Sequence, residues 1–307
     1  MDKSNWAPRN YLLRSLSDTD LSLIKPKLER AALFVRRNLE EPDQPIREIC
    51  FPEAGIISVV AKSGERRIET GLIGYEGMTG PTVVMGDDRS PHETYVQVEG
   101  EGLIMEADDL RAAMRDSPTL RDSLLRFVQA FMIQTAHTAL ANGRARIDER
   151  LARWLLMAQD RVCGDKLPLT HEFLSLMLGV RRPGVTDALH RLEGEGLIRA
   201  KRSLIMVRDR AGLVEVADGS YGGPEAEYRR LLGPLPAWNG DDDVGVAFGT
   251  DLHVAGSPFA ADWPHSAGAP YPGFAGTSPS GGRESNRKRL QRTLPPPSWG
   301  GVRPTAG

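Results

Sequence analysis

Cysteine is scarce in this 307-residue chain, and its scarcity excludes several kinds of site. The only two cysteines, Cys50 and Cys163, lie far apart in unrelated sequence, so neither a structural zinc site nor an iron–sulfur cluster can be built from them. Such sparse usage is typical of a reducing cytoplasm, where thiols serve as small buried hydrophobic groups.

Long apolar runs are lacking as well. No segment approaches the roughly 18 apolar residues of a membrane helix, and the N-terminus has no secretory pattern of a basic region before an apolar one. We find neither paired metal-binding histidines nor a nucleophile beside a base, and therefore expect no metal, no certain cofactor and no enzyme. At 40% hydrophobic and 26% charged residues, the composition is that of a soluble globular protein.

Charge is divided unevenly along the chain. Residues 1–143 contain 17 Lys and Arg against 22 Asp and Glu, whereas residues 144–215 contain 14 against 10. A basic segment inside an otherwise acidic protein indicates an anionic partner for that segment alone.

Residues 10–117 predict an antiparallel β domain. Short apolar stretches such as IREICF and GIISVVAKSG are separated by turn residues about every ten positions. This spacing is typical of a small sandwich or barrel, and here predicts a jelly-roll-like β-roll.

Residues 118–143 predict one long helix. Its apolar and small polar positions alternate at spacings of 4 and 3, which is the seam of a coiled coil. A helix of this kind either pairs with its own copy, which we expect, or packs on the β domain. The seam consists of Leu120, Leu124, Phe127, Phe131, Gln134, Thr138 and Ala141.

Residues 144–217 predict a winged helix-turn-helix. In LMLGVRRPGVTDALHRLEGEGLI, Gly179 suits the turn between two helices, and Pro183 suits the first turn of the second helix, where an N–H is not needed. GLIRAKRSLIMVR then has the pattern of a two-stranded wing. A helical hairpin that binds protein is the alternative to DNA binding.

The outer face of the second helix has the chemistry of a base-reading surface. Arg182, Thr186 and His190 follow each other at intervals of four residues. Arginine can bond guanine with two hydrogen bonds, and threonine can contact a base edge or a phosphate. The predicted DNA-contacting residues are Arg181, Arg182, Thr186, His190, Arg191 and, in the wing, Arg202.

Residues 218–307 have no apolar periodicity, and 28 of the residues from position 219 onward are Gly or Pro. Such composition is typical of disorder, so we predict a disordered tail.

The order of parts and the segment LTHEFLSLMLGVRRPGVTDALHRLEGEGLI resemble the Crp/Fnr family of bacterial transcription regulators over roughly residues 10–215. The resemblance implies a cytoplasmic homodimer that binds a palindromic site in double-stranded DNA, without a membrane partner and with RNA polymerase as a possible one. Arg182 falls where the family places a guanine-reading arginine. Pro183 and Asp187 depart from the family pattern, so a different operator is expected.

The resemblance also locates an effector pocket. Family members that bind cyclic nucleotides hold the ribose with a glycine and a glutamate, the phosphate with an Arg–Ser pair, and the base with a threonine. The corresponding candidates here are Gly74, Glu76, Gly77, Arg89, Ser90, His92 and Thr135. Alignment of the strand TYVQV puts His92 and Glu93 at the phosphate position, where a glutamate repels the ligand.

Together these features predict an α+β protein: a β-roll, a dimerisation helix, a winged helix-turn-helix and a disordered tail. The expected function is transcription regulation without cyclic-AMP control, with an unidentified small-molecule effector as the candidate ligand. A cyclic-nucleotide-responsive regulator and a β-barrel enzyme with an accessory winged domain are the alternatives.

Overall fold

A computed structural model describes residues 7–162, 164–201 and 203–234. The strands are β1 (Glu29–Leu33), β2 (Asn38–Glu40), β3 (Glu48–Pro52), β4 (Ile56–Ser63), β5 (Arg66–Ile73), β6 (Glu93–Val98), β7 (Gly100–Glu106), β8 (Lys166–Leu167), β9 (Ile198–Lys201) and β10 (Leu204–Val207). The α-helices are α1 (Tyr11–Arg14), α2 (Asp18–Ile24), α3 (Pro81–Val84), α4 (Ala107–Asp116), α5 (Pro118–Arg144), α6 (Ile147–Gln159), α7 (His171–Leu178), α8 (Arg182–Gly194), α9 (Arg210–Val216) and α10 (Gly223–Leu232).

The N-terminal half is a β-roll of two antiparallel sheets, as the sequence predicts. One sheet has the order β1-β7-β3 and the other the order β2-β6-β4-β5. β4 lies between β5 and β6 in the second sheet, and its first five residues are all buried. A strand that is covered on both faces in this way requires apolar residues at successive positions, which IISVV largely supplies.

The long helix α5 packs on this β-roll through the predicted seam. The ring of Phe131 fills the space left open by Gly71, where an added Cβ would lie 2.7 Å from the ring. The side chain of Gln134 makes two hydrogen bonds to the backbone of Leu72, at 2.7 and 3.2 Å. The expectation that this seam meets a second copy is therefore wrong for Phe131 and Gln134. The alternative, packing on the β domain, is what the structure shows.

A second stripe on α5 stays uncovered in the single chain. Met132 and Leu140 are each 60% exposed, and Leu125 is 39% exposed. With the exposed Gln129 and Ala136, they follow spacings of 4, 3, 4 and 4 residues along the helix. The apolar stripe from Leu125 to Leu140 therefore lies on one face of α5, away from the seam.

The C-terminal half is a winged helix-turn-helix. Helices α6, α7 and α8 pack together, and β8, β10 and β9 form a small antiparallel sheet beside them. α6 is buried on most of its circumference, because one side contacts α8 and α9 while Trp154 reaches back to the β-roll. A helix that is buried on most of its circumference is expected at the centre of such an assembly.

The chain does not become irregular at residue 218. α10 follows the winged domain and packs against α5. Tyr228 on α10 is buried, and its hydroxyl donates to the backbone oxygen of Glu76 at 2.5 Å. The predicted disordered tail is therefore wrong for residues 223–232, because Tyr228, Leu231 and Leu232 form an apolar face that the high Gly and Pro content concealed. The rest of that prediction, from residue 235, lies outside the described residues.

Candidate nucleic-acid interface and effector pocket

The turn of the helix-turn-helix is built as the sequence predicts. Gly179 ends α7 with φ of 60°, a left-handed conformation that favours glycine. At the other end of α7, the hydroxyl of Thr170 accepts a hydrogen bond from the backbone N–H of Phe173 at 3.2 Å. Cap and turn together set the length of α7 at two turns and direct the chain into α8.

The second helix, α8, has one face in the core and one in solvent. Val185, Ala188, Leu189 and Leu192 are each no more than 1% exposed. Pro183 lies in the first turn of α8, where its missing N–H leaves no hydrogen bond unmade. The buried face anchors the helix, so the opposite face is presented at a fixed orientation.

The predicted DNA-contacting residues of α8 occupy this outer face. Arg181, Arg182, His190 and Arg191 are exposed, and Thr186 is half-buried. The guanidinium of Arg191 lies 3.6 Å from a carboxylate oxygen of Asp148 on α6. Arg202 lies outside the described residues, so its contact with DNA stays a prediction. The neighbouring strands β9 and β10 pair in antiparallel register, as a wing requires.

One residue beside this face was not among the predicted DNA-contacting residues. His171, the first residue of α7, places its Nδ1 3.2 Å from the hydroxyl of Thr186. Burial and the nearby positive charges of Arg182 and His190 lower the pKa of His171 below its ordinary value of 6.5. The sequence carried no signal for this contact, because it joins two helices across the turn.

In the predicted effector pocket, Glu76 is engaged by another part of the chain. Its Oε1 accepts hydrogen bonds from Arg161, at 2.8 Å from Nε and 2.7 Å from Nη2, and both side chains are at least nine-tenths buried. Burial opposes the charge on Arg161, but Glu76, Asp160 and Glu225 nearby raise its pKa above the ordinary value. A ligand hydroxyl at Glu76 would have to compete with this buried ion pair.

The candidates for phosphate binding make their contacts with neighbouring residues of the chain. The side chain of Arg89 is 58% exposed and lies 3.3 Å from Asp88. Ser90 is buried and accepts a hydrogen bond from the backbone N–H of His92 at 3.1 Å. Glu93, which was expected to repel a phosphate, instead forms ion pairs with Lys62, at 2.8 Å, and with Arg67.

The remaining three candidates are engaged within the chain. Gly74 leaves room for the Arg161 side chain, because an added Cβ would lie 2.7 Å from its Cγ. Gly77 gives the same kind of space to the ring of Phe127. The Thr135 hydroxyl donates within α5, to the Phe131 carbonyl at 3.1 Å. Of the seven candidates, only Glu76 lines the cavity between the β-roll, α5, the segment just after α6, and α10.

This cavity is small because α10 closes it. Pro224, Glu225 and Tyr228 of α10 line it opposite Phe127 and Gln134. Its volume of about 40 Å³ suits a few water molecules and not a nucleotide. Neither Arg161 nor Tyr228 was among the predicted residues, although the apolar spacing of Tyr228, Leu231 and Leu232 was a signal for the helix.

A second buried carboxylate joins the β-roll to the winged domain. Glu69 on β5 accepts a hydrogen bond from the indole N–H of Trp154 at 2.6 Å, while its other oxygen has no hydrogen-bond partner within the described chain. Burial raises the pKa of Glu69 to about 7, although the hydrogen bond from Trp154 and the positive charges of Arg161 and Arg153 oppose the rise. Protonation of Glu69 therefore affects the contact between the two halves.

No helix in the described ranges is long and apolar enough to cross a membrane. The same residues contain no group of three or more His, Cys, Asp or Glu side chains placed to hold a metal ion.

Comparison with known proteins identifies the domain and the fold. Residues 149–216 match the Crp-like helix-turn-helix domain family. A protein of Eubacterium rectale ATCC 33656, described as a Crp/Fnr-family transcriptional regulator, is 18% identical with a TM-score of 0.55, over 68% of this chain and 98% of that one. FixK2 from Bradyrhizobium japonicum is 16% identical with a TM-score of 0.54, over 62% and 96%. CLP from Xanthomonas campestris, a c-di-GMP responsive global regulator, is 15% identical with a TM-score of 0.52, over 62% and 99%. A search of curated proteins finds no match.

The described chain therefore has the fold of the Crp/Fnr transcriptional regulators. Within that fold, residues 149–216 form a Crp-like helix-turn-helix domain. The resemblance drawn from the order of parts and from the helix-turn-helix residues is confirmed.

Proposed function

We propose that the protein is a sequence-specific DNA-binding transcriptional regulator of the Crp/Fnr type. The observation that carries this proposal is the division of α8 into two faces. Its inner face is fully buried, whereas Arg181, Arg182, Thr186, His190 and Arg191 share the outer, accessible one. An outer face rich in arginine on a rigidly held helix suits the major groove, where arginine recognises guanine.

The test is selection of bound sequences from a pool of random double-stranded DNA by the full-length protein. We expect enrichment of a palindrome with half-site centres about 34 Å apart, because two copies would present two recognition helices one DNA turn apart. Arg182→Ala should reduce enrichment, whereas Arg115→Ala, an exposed arginine on α4, should not. Failure to enrich any sequence would refute the proposal.

The proposed regulator acts as a homodimer through the stripe from Leu125 to Leu140. One chain has one recognition helix, whereas a palindromic site needs two that are related by a two-fold axis. Two apolar residues of the stripe, Met132 and Leu140, are each 60% exposed. Its spacing suits contact with the same helix of a second copy, in the manner of a coiled coil.

The proposed regulator also works without cyclic AMP. Support comes from Glu76, whose carboxylate is bound to Arg161, and from Tyr228, which covers the backbone of Glu76. Arg89 is turned to solvent and paired with Asp88, so it offers no preformed phosphate site beside Glu76.

A further inference from the structure

Thr186 lies at the centre of the outer face of α8, and its hydroxyl is engaged inside the protein. Its oxygen lies 3.1 Å from the carbonyl oxygen of Arg182 and 3.2 Å from Nδ1 of His171. A hydroxyl has one hydrogen to donate. Whichever tautomer His171 adopts, that hydrogen is used within the chain, on Arg182 or on His171.

We propose that Thr186 recognises the 5-methyl group of a thymine through its own Cγ2 methyl, and that His171 is the residue that positions it. The proposal deepens the proposed function and rests on it, since it concerns the base read by α8. With the oxygen held toward α7, the methyl is the part of the side chain that remains to meet a ligand. Contact between a threonine methyl and the thymine methyl is an established means of base recognition.

The position of Thr186 on the helix predicts where this thymine lies. Arg182 and His190 are four residues before and after it, on the same face. Four residues advance about 6 Å along a helix, and base pairs are stacked about 3.4 Å apart. The thymine is therefore expected one or two base pairs from the guanine that Arg182 contacts.

His171 suits a positioning role better than a role as a cation. Burial and the charges of Arg182 and His190 lower its pKa, so the imidazole is neutral near pH 7. Its half-buried ring sits at the start of α7 beside the capped first turn. A neutral ring in this place holds the threonine oxygen by one hydrogen bond and fixes the χ1 rotamer of Thr186.

The experiment replaces thymine by deoxyuridine, which lacks only the 5-methyl group. Using the full-length protein and the site obtained by selection, each thymine of both half-sites is replaced in turn, and the ratio of dissociation constants is measured. We expect one position in each half-site at which the replacement weakens binding about four-fold, the effect of burying one methyl group.

Two substitutions of Thr186 decide which of its groups reads the base. Thr186→Ser keeps the hydroxyl and loses the methyl, so it should bring the thymine-to-deoxyuridine ratio at that position to about one. Thr186→Val keeps a methyl in the same place and loses the hydroxyl. Because a valine side chain is itself restricted at χ1 in a helix, it needs no hydrogen bond from His171 and should retain the ratio. The reverse result, with Ser retaining and Val losing the ratio, would overturn the proposal in favour of recognition by the hydroxyl.

His171→Ala tests the positioning role. It should lower the thymine-to-deoxyuridine ratio while leaving affinity for scrambled DNA unchanged. A loss of affinity for all sequences at an unchanged ratio would make His171 a phosphate contact and refute its positioning role.

The outcomes separate the two proposals. If selection yields a site but no thymine responds to deoxyuridine, thymine recognition fails and the regulator assignment stands. If selection yields no site, the proposed function itself fails.

Discussion

The residue with the clearest dependence on pH is Glu69, at the contact between the β-roll and the winged domain. Burial raises its pKa from an ordinary value of 4.5 to about 7. Between these two values the folded protein keeps a proton that the unfolded chain has lost. The free energy of unfolding therefore falls as the pH rises through this range and levels off above 7.

We expect Glu69→Gln to remove this part of the pH dependence. Glutamine keeps an acceptor for the indole N–H of Trp154 but carries no charge at any pH, whereas the wild-type loss is on the order of 3 kcal/mol. Urea unfolding of both proteins at pH 5 and pH 8 measures the effect, and all other titrating groups are common to the two. Parallel pH profiles would show that Glu69 does not titrate in this range.

Arg182 and Lys201 are expected to affect DNA binding in different ways. Arg182→Ala should cost about 1–3 kcal/mol on the selected site and relax the preference at one base pair in each half-site. Lys201 is exposed at the end of β9, and we expect it to contact phosphates. Lys201→Ala should therefore weaken binding to all sequences alike and reduce the salt dependence. Titrations on selected and scrambled DNA at several salt concentrations measure both. An exchange of these two effects would place the wing, and not α8, at the bases.

At the scale of elements, α5 has two apolar faces with different partners. The face with Phe127 and Phe131 packs on the β-roll, and the stripe from Leu125 to Leu140 is open. The sequence shows a continuous heptad pattern for the first face and only a looser one for the second. Periodicity indicates that a face is covered but does not indicate what covers it, which is why the predicted seam could be assigned to a second copy although Phe131 and Gln134 pack on the β-roll.

Met132→Glu combined with Leu140→Glu should therefore convert a dimer into a monomer. Each substitution would bring a charge into an interface without a partner, at a cost of several kcal/mol. Met85→Glu is the matched control, because Met85 is similarly exposed, at 56%, and lies outside α5. Sedimentation velocity of the wild type, the double variant and the control measures their oligomeric state. A double variant that stays dimeric would exclude the stripe as the interface.

Helix α10 is expected to contribute to stability, contrary to what its composition indicated. A chain that ends after residue 234 keeps the contacts of α10 with the described residues, whereas one that ends after residue 222 loses the buried ring of Tyr228 and its hydrogen bond to Glu76. Loss of a buried aromatic side chain costs about 3–5 kcal/mol. Urea unfolding should show the shorter protein to be less stable by a comparable amount, and equal stability would mean that α10 packs only loosely.

For the molecule as a whole, the β-roll and the winged domain are joined by Arg161, which follows α6 and binds Glu76, a residue of the predicted effector pocket. Since this pair and α10 occupy the pocket, cyclic AMP should have no effect. Calorimetry with millimolar cyclic AMP should give no saturable heat, and DNA affinity should not change. Micromolar binding would show that the pocket opens and accepts the nucleotide.

The parts that could be predicted from the sequence are those that depend on neighbours along the chain. Gly179, Pro183 and the buried positions of α8 all lie within 14 residues, so local periodicity and turn chemistry indicated them. The contacts of Arg161 with Glu76 and of Trp154 with Glu69 each join residues 85 positions apart. Their partners are fixed by how the two halves meet, and no local pattern encodes that.

The meeting of α1 and α10 has a consequence for the order of events during synthesis. The hydroxyl of Tyr11 donates to the backbone oxygen of Leu232, 221 residues later, and its ring lies 6.4 Å from that of Tyr228. A ribosome adds about 5–20 residues each second, so roughly 10–40 s separate the appearance of these two partners. During that interval α1 has been synthesised but α10, which packs against it, has not. The apolar surface around Tyr11 is therefore accessible to chaperones until α10 is made.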